Sequence, residues 1–252
     1  MEDKSNIQMT AKERRENFWY YHKWHTVVAL FLVFVILICS VQMCSKVSYD
    51  IHIMYAGPYE FKRTSSNGDL PPYANALTSL KQYSKDYNED GTISVDFLDL
   101  YLLTSKEMQD AEADKETELN YRLLMQNSET FVNNIMYSEF YVCLISPTLY
   151  TQYKVFNDVP IFSKIDEYVD DKDIIYSEEY HESDGTTLHF YDECAVYLSS
   201  TELSTLSVFS SLPEDTLVCL RIKSAIASHF GKEENERNYE ISTDYIKNLL
   251  NA

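Results

Sequence analysis

The chain has 252 residues, 45% of them apolar, with 21 Lys and Arg against 40 Asp and Glu, a formal charge of -19. Its 21 Tyr and 12 Phe are enough to bury a sizeable core, which excludes a disordered tail, and the composition equally excludes collagen-like and disulfide-dense classes. So large an acidic excess excludes a nucleic-acid binder that works by neutralising phosphates, because each such contact needs a Lys or Arg.

The first predicted element is a membrane span. From Val27 to Cys44 no residue is charged. A helix of that length reaches roughly 27 Å at about 1.5 Å per residue, close to the roughly 30 Å hydrocarbon layer of a bilayer. Ahead of it Phe18, Trp19, Tyr20, Tyr21 and Trp24 form an aromatic belt suited to the headgroup zone. Lys4, Lys12, Arg14, Arg15 and Lys23 precede the run, whereas the 20 residues after Cys44 hold only Lys46, Lys62 and Arg63. That bias puts the amino terminus in the cytoplasm. A cleaved signal peptide is the competing reading, but the apolar run starts late and ends on no small-x-small pair. Ile38 before Cys39 and Met43 before Cys44 do not suit lipidation either. The expected layout is a cytoplasmic segment with its belt over 1–25, a transmembrane helix over 26–45, and an extracytoplasmic domain over 46–252. That outer part carries 16 basic and 36 acidic residues, so the acidity is its own.

In the outer part Tyr49, Ile51, Ile53 and Tyr55 alternate in Ser48 to Ala56, which predicts a strand ended by Gly57-Pro58. A helix is expected from Asp69 through Tyr87, and a second strand over Thr92 to Leu103. Residues 107–136 read as a helix broken near Ser128. Phe140 to Ile145 is a strand apolar on both faces, and Ser146-Pro147 opens a short helix through Lys154. The alternating order implies right-handed crossovers and a parallel sheet. A hairpin over 174–192, a mixed segment over 195–212, a strand over 216–222 and a last helix over 241–250 complete it. The expected class is α/β: one transmembrane helix followed by a single domain with a mostly parallel sheet and flanking helices.

Asp86, Asn88, Asp90 and Thr92 stand in a D-x-N-x-D-G-x-I pattern, the first eight positions of a calcium loop. The twelfth position, which should bring a bidentate carboxylate, is Phe97. The loop therefore reads as a polar helix-to-strand turn in preference to a weak Ca²⁺ site, and no other cofactor is expected. His181 and His189 flank Asp184-Gly185; across a two-residue hairpin turn they would face opposite sides, so they read as a solvated hairpin. Cys143 and Cys219 lie in apolar strand-like stretches and read as buried thiols, with a disulfide between neighbouring strands as the alternative, and Cys194 completes an odd count outside the span. The chain has no G-x-S-x-G, S-x-x-K, H-E-x-x-H or Walker loop, and its five glycines offer no nucleotide nest.

The start KERRENFWYYHKWH, the span and then SYDIHIMYAGPY resemble a group of uncharacterised single-pass membrane proteins of Gram-positive, clostridia-like bacteria. The resemblance implies a cell-membrane protein with its main domain outside. Separately, DIHIMYAG, a helix, ISVDFLDL, a helix and FYVCLISPTLY are similar in order to one lobe of an extracellular solute-binding protein. The expected function is non-enzymatic: a membrane-anchored binding or interaction module for a small-molecule or protein ligand at the cell surface. Ligands of open parallel sheets sit beyond the carboxyl ends of the strands, which points to Tyr55, Tyr59, Leu103 and Ser146. Two alternatives stand beside it, an envelope-acting hydrolase using paired carboxylates and an accessory subunit of a transporter or sensor.

Overall fold

The computed structural model describes residues 10–44, 48–65, 69–113, 119–176, 187–223 and 231–252. The chain divides into two units, one through Ser48 and one from Tyr49 to Ala252.

The first unit is a single helix, α1, Ala11–Cys44. It starts well before the expected residue 26 because Thr10 and Glu13 form a capping box: the Thr10 amide donates to Glu13 Oε2 at 2.8 Å and the Glu13 amide to Thr10 Oγ1 at 3.4 Å. The aromatic belt is therefore helical and continuous with the apolar run. Within α1, Phe18–Ser40 is long and apolar enough to cross a bilayer. From Val27 to Cys39 its side chains are apolar all round the axis and uncovered, with Leu30, Phe31 and Ile36 more than 60% exposed. The Thr26 and Ser40 hydroxyls in the run are satisfied internally, Thr26 donating to His22 O at 3.0 Å and Ser40 to Ile36 O at 2.8 Å.

The second unit is an α/β domain. In chain order it holds β1 (Ile51–Gly57), α2 (Pro72–Leu80), β2 (Val95–Tyr101), α3 (Ser105–Ala113), α4 (Tyr121–Tyr137), β3 (Val142–Ile145) and α5 (Pro147–Tyr153). There follow β4 (Val155–Phe156), β5 (Val159–Pro160), β6 (Asp173–Tyr176), β7 (Thr187–Asp192), β8 (Ala195–Tyr197), β9 (Leu217–Leu220) and α6 (Lys232–Leu250). Seven strands form one sheet in the order β2-β1-β3-β9-β8-β7-β6, and β4 and β5 form a separate hairpin.

β1, β2 and β3 are parallel, as the alternating pattern predicts. Beyond β3 the sheet is mixed: β9 runs antiparallel to β3, β8 to β9, and β7 to β8. Alternation along each strand divides the core. In β3, Val142 and Leu144 face the layer that holds α2 and α6, whereas Cys143 and Ile145 face the layer that holds α4 and α5.

Four local expectations are corrected. The hairpin over 174–192 does not form: β6 and β7 are parallel, with Ile175 opposite His189 and Tyr176 opposite Phe190. The tight turn comes one strand later, where Asp192 Oδ1 accepts the Cys194 amide at 2.9 Å and turns β7 into β8. His181, Asp184 and Gly185 lie outside the described residues. The helical stretch 107–136 breaks before α4 rather than at Ser128, because Asn120 caps α4 by accepting the Leu123 amide at 3.1 Å.

The helix expected through Tyr87 ends at Leu80, followed by one 3-10 turn to Tyr83. Asp50, only 3% exposed, holds the chain beyond it. Its Oδ1 accepts the amides of Tyr87 at 2.8 Å and Asn88 at 3.0 Å, and its Oδ2 accepts the Ser94 amide at 2.7 Å and the Ser94 hydroxyl at 3.0 Å. α6 begins at Lys232 instead of residue 241, and its polar first half is held by buried Asn235, whose Oδ1 accepts the Tyr141 hydroxyl.

Candidate functional site

The chain passes from β1 to β2 on one side of the sheet and returns past β1 to β3 on the other, so the strand order reverses between β1 and β3. Ligands of such sheets gather beyond the carboxyl ends of the strands near that reversal. A cleft of about 390 Å³ lies there. Leu102, Leu103 and Thr104, which follow β2, form one wall. Met108 of α3 and Leu124, Ser128 and Phe131 of α4 form the second, and Thr148, Leu149, Gln152 and Tyr153 of α5 the third.

Local chemistry builds each wall. α3 is opened by a capping box in which the Thr104 amide donates to Glu107 Oε2 at 2.6 Å and the Glu107 amide to Thr104 Oγ1 at 3.2 Å. α5 begins where the Ser146 amide donates to Ala56 O at 3.0 Å, with Pro147 supplying the fixed φ of a first helical residue. Phe131 and Tyr153 meet edge to face with centroids 5.2 Å apart. Among the described residues no charged side chain lines the cleft, in a chain of formal charge -19. The lining offers apolar contact and neutral hydrogen-bonding groups, the pattern of a small-molecule site.

Of the four ligand residues expected from sequence, Leu103 lines the cleft and Ser146 immediately precedes the helix that forms its third wall. Tyr55 and Tyr59 belong to the opposite layer. The Tyr55 side chain is fully buried, its hydroxyl accepts the Tyr59 amide at 3.1 Å, and its ring meets Phe61 edge to face. The four do not form one site.

A second polar centre lies on that other layer. Asp99, opposite Tyr55 in the β1–β2 register, accepts the Phe61 amide through Oδ2 at 3.3 Å, while its Oδ1 is buried without a partner among the described residues. Burial pushes its carboxyl up to about 6, against the opposing pull of the Phe61 amide and the Arg63 charge. Burial likewise raises Asp215, with the charges of Glu107 and Glu214 adding.

The calcium-like loop folds on itself. Asp86 accepts the Asp90 amide at 3.2 Å and the Gly91 amide at 2.8 Å, Asn88 accepts the Asp90 amide at 3.0 Å, and Asp90 accepts the Thr92 amide at 2.8 Å and hydroxyl at 2.7 Å. Positive φ at Glu89 and Gly91 closes the turn. The Thr92 contacts, side chain first, lower the Asp90 carboxyl. Phe97, in the twelfth position, is buried in the core. Among the described residues no three His, Cys, Asp or Glu side chains gather as a metal site.

One constellation carries no sequence signal. His52 Nδ1 lies 2.9 Å from Asp96 Oδ2 and its Nε2 lies 3.6 Å from Glu139 Oε2, with Tyr49 and Phe140 edge to face against the ring. Only the register, His52 opposite Asp96, brings them together. Cys143 and Cys219 are also direct cross-strand partners, and both are buried free thiols.

The chain matches no protein-family model, no curated protein and no solved structure.

Proposed function

We propose that the protein is a single-pass membrane protein with the amino-terminal side of α1 in the cytoplasm, and that its α/β domain outside the membrane binds an uncharged, largely apolar small molecule. The observation that carries this reading is the cleft beyond the carboxyl ends of β2 and β3, whose lining among the described residues is uncharged. A switch-point cleft whose described lining is uncharged, in an acidic domain, favours a neutral ligand over an ion, because a charged ligand would be desolvated there without a counter-charge from that lining. The anchor reading draws on α1, whose uncovered apolar surface would be costly in water and is matched by a hydrocarbon layer. The basic residues ahead of the span, among them Lys12, Arg14, Arg15 and Lys23, support the orientation.

The test is thermal unfolding of the full chain in phosphatidylcholine nanodiscs against a panel of neutral aromatic and aliphatic alcohols and amides. A binder should raise Tm in proportion to its occupancy, and Leu149→Trp, which fills the cleft, should abolish the shift. A panel without effect, or shifts that survive Leu149→Trp, would overturn the reading.

An acid/base hydrolase is supported by the raised carboxyls of Asp99 and Asp215. Neither lines the cleft, and among the described residues no carboxylate does. Binding is therefore the reading that the geometry supports best.

A further inference from the structure

The two edges of the sheet are finished differently. At the β2 edge, the Leu102 amide donates to Gly57 O at 2.8 Å, so the even-numbered residues of β2 turn their backbone groups toward β1 and the odd-numbered residues turn theirs outward. Two of those outward carbonyls are taken by side chains: Tyr73 donates its hydroxyl to Phe97 O at 2.7 Å, and Asn127 donates its amide to Tyr101 O at 2.9 Å. Helices α2 and α4 thus close that edge.

β6 is the opposite edge, and nothing among the described residues closes it. All four of its residues are exposed, Ile174 at 36%, Ile175 at 45% and Tyr176 at 54%. Because Ile174 and Ile175 point to opposite faces, the edge is apolar above and below the plane. Exposed edges are usually blunted by charge on the strand or by a covering element; this one carries a single charge, Asp173 at its start, and no described residue covers it.

The surroundings of β6 are negative. Asp173 opens the strand, and the Tyr176 hydroxyl donates to Asp166. That bond, with the charges of Asp166, Glu193 and Asp192, pushes the Tyr176 phenol up to about 12. The nearby cations are engaged elsewhere: Lys172 Nζ donates to Leu250 O at 2.7 Å, and Lys164 Nζ pairs with Glu193 at 2.6 Å.

We infer that the free edge of β6 is a docking site for an extended segment of another protein, one that alternates apolar residues with Lys or Arg and adds to the sheet as an eighth strand. The main chain of the segment would pair with the outward backbone groups of β6. Its apolar residues would cover Ile174 or Ile175, and its cations would meet Asp166 and Asp173. A second copy of this chain is disfavoured as the occupant, since its own β6 brings the same acidic surroundings.

The test uses the full chain in phosphatidylcholine nanodiscs and a fluorescein-labelled octapeptide of alternating Val and Lys. Three arms accompany it: an alternating Val and Glu octapeptide, the Val-Lys peptide N-methylated at alternate residues, and the double variant Ile174→Lys with Ile175→Lys. The Val-Lys peptide should bind, more tightly at low salt, and should slow amide exchange at Asp173 to Tyr176. N-methylation and the double variant should each weaken it at least tenfold, and the Val-Glu peptide should not bind. Equal binding of the N-methylated peptide would reduce the effect to charge alone and overturn the inference, as would unchanged binding by the double variant, whose Tm reports its folding. A wild-type dimer that the double variant converts to a monomer would assign the edge to a second copy and overturn it too.

Discussion

Arg221, one residue beyond β9, lies over the ring of Tyr141 with its guanidinium carbon 4.7 Å from the ring centroid. The side chain is 1% exposed and has no carboxylate partner among the described residues; instead it donates to the carbonyls of Ile135, Ser138 and Phe140, where α4 ends. The negative end of a helix dipole and the face of a phenol ring together compensate a charge that burial would otherwise neutralise, and burial lowers its affinity for its proton. Replacing it with an apolar side chain of similar length, Arg221→Met, strands those carbonyls and should cost about 3 kcal/mol in denaturant unfolding. Arg221→Lys, which keeps the charge but loses the planar fork, should cost less.

Asp50 ties β1 to the loop before β2 through four accepted hydrogen bonds. Asp50→Ala should destabilise the domain by about 2 to 4 kcal/mol, since hydrogen bonds to a charged acceptor are the strong ones. Hydrogen exchange localises the effect: the amides of Tyr87, Asn88 and Ser94 should lose protection before those of β1.

Asp99 gives a pH dependence with a definite sign. Its carboxyl titrates near 6 in the folded domain because of burial, above its ordinary value of 3.8. The folded state therefore holds the proton more tightly than the unfolded chain, so this group lowers stability as pH rises from about 4 to about 6 and has no further effect above that. Asp99→Asn removes the dependence. The variant should gain in Tm relative to the parent at pH 7 and lose that advantage at pH 4, as read by thermal unfolding at both values.

Burial pushes the Cys143 thiol up to about 12 and Cys219 well above its ordinary range, and burial followed by the Asp192 charge pushes Cys194 up to about 11. Thiolates are the reactive species. Iodoacetamide at pH 8 should leave Cys143 and Cys219 unmodified in the native protein and alkylate both in guanidinium, counted by intact mass. A native mass two hydrogens lighter, with only three of the five cysteines alkylated after unfolding, would instead mean a cross-strand disulfide.

What the sequence makes legible follows from the range over which each determinant acts. β1 is readable because Ile51, Ile53 and Tyr55 alternate within one strand and share one buried layer. The opening of α5 is readable because Ser146-Pro147 is a local signal. The direction of β6 is not, since Asp184-Gly185 suggests a turn whereas the parallel pairing of Ile175 with His189 is set by the sheet. The first half of α6 lacks apolar periodicity and is held by Asn235 through Tyr141, 94 residues away. Of the cleft, Leu103 is within reach of the rule about strand ends, but Phe131 and Tyr153 reach it from helices whose packing only tertiary structure fixes.

Labelling with a membrane-impermeant maleimide in intact cells tests most directly whether α1 holds the acidic domain outside the membrane. The probe position is Ser207→Cys, an exposed site in the domain, and the reference is Lys12→Cys, exposed on α1 ahead of the span. The proposed topology requires Ser207→Cys to label in intact cells and Lys12→Cys only after permeabilisation. The reverse pattern would place the domain in the cytoplasm and contradict the proposal of a binding module at the cell surface.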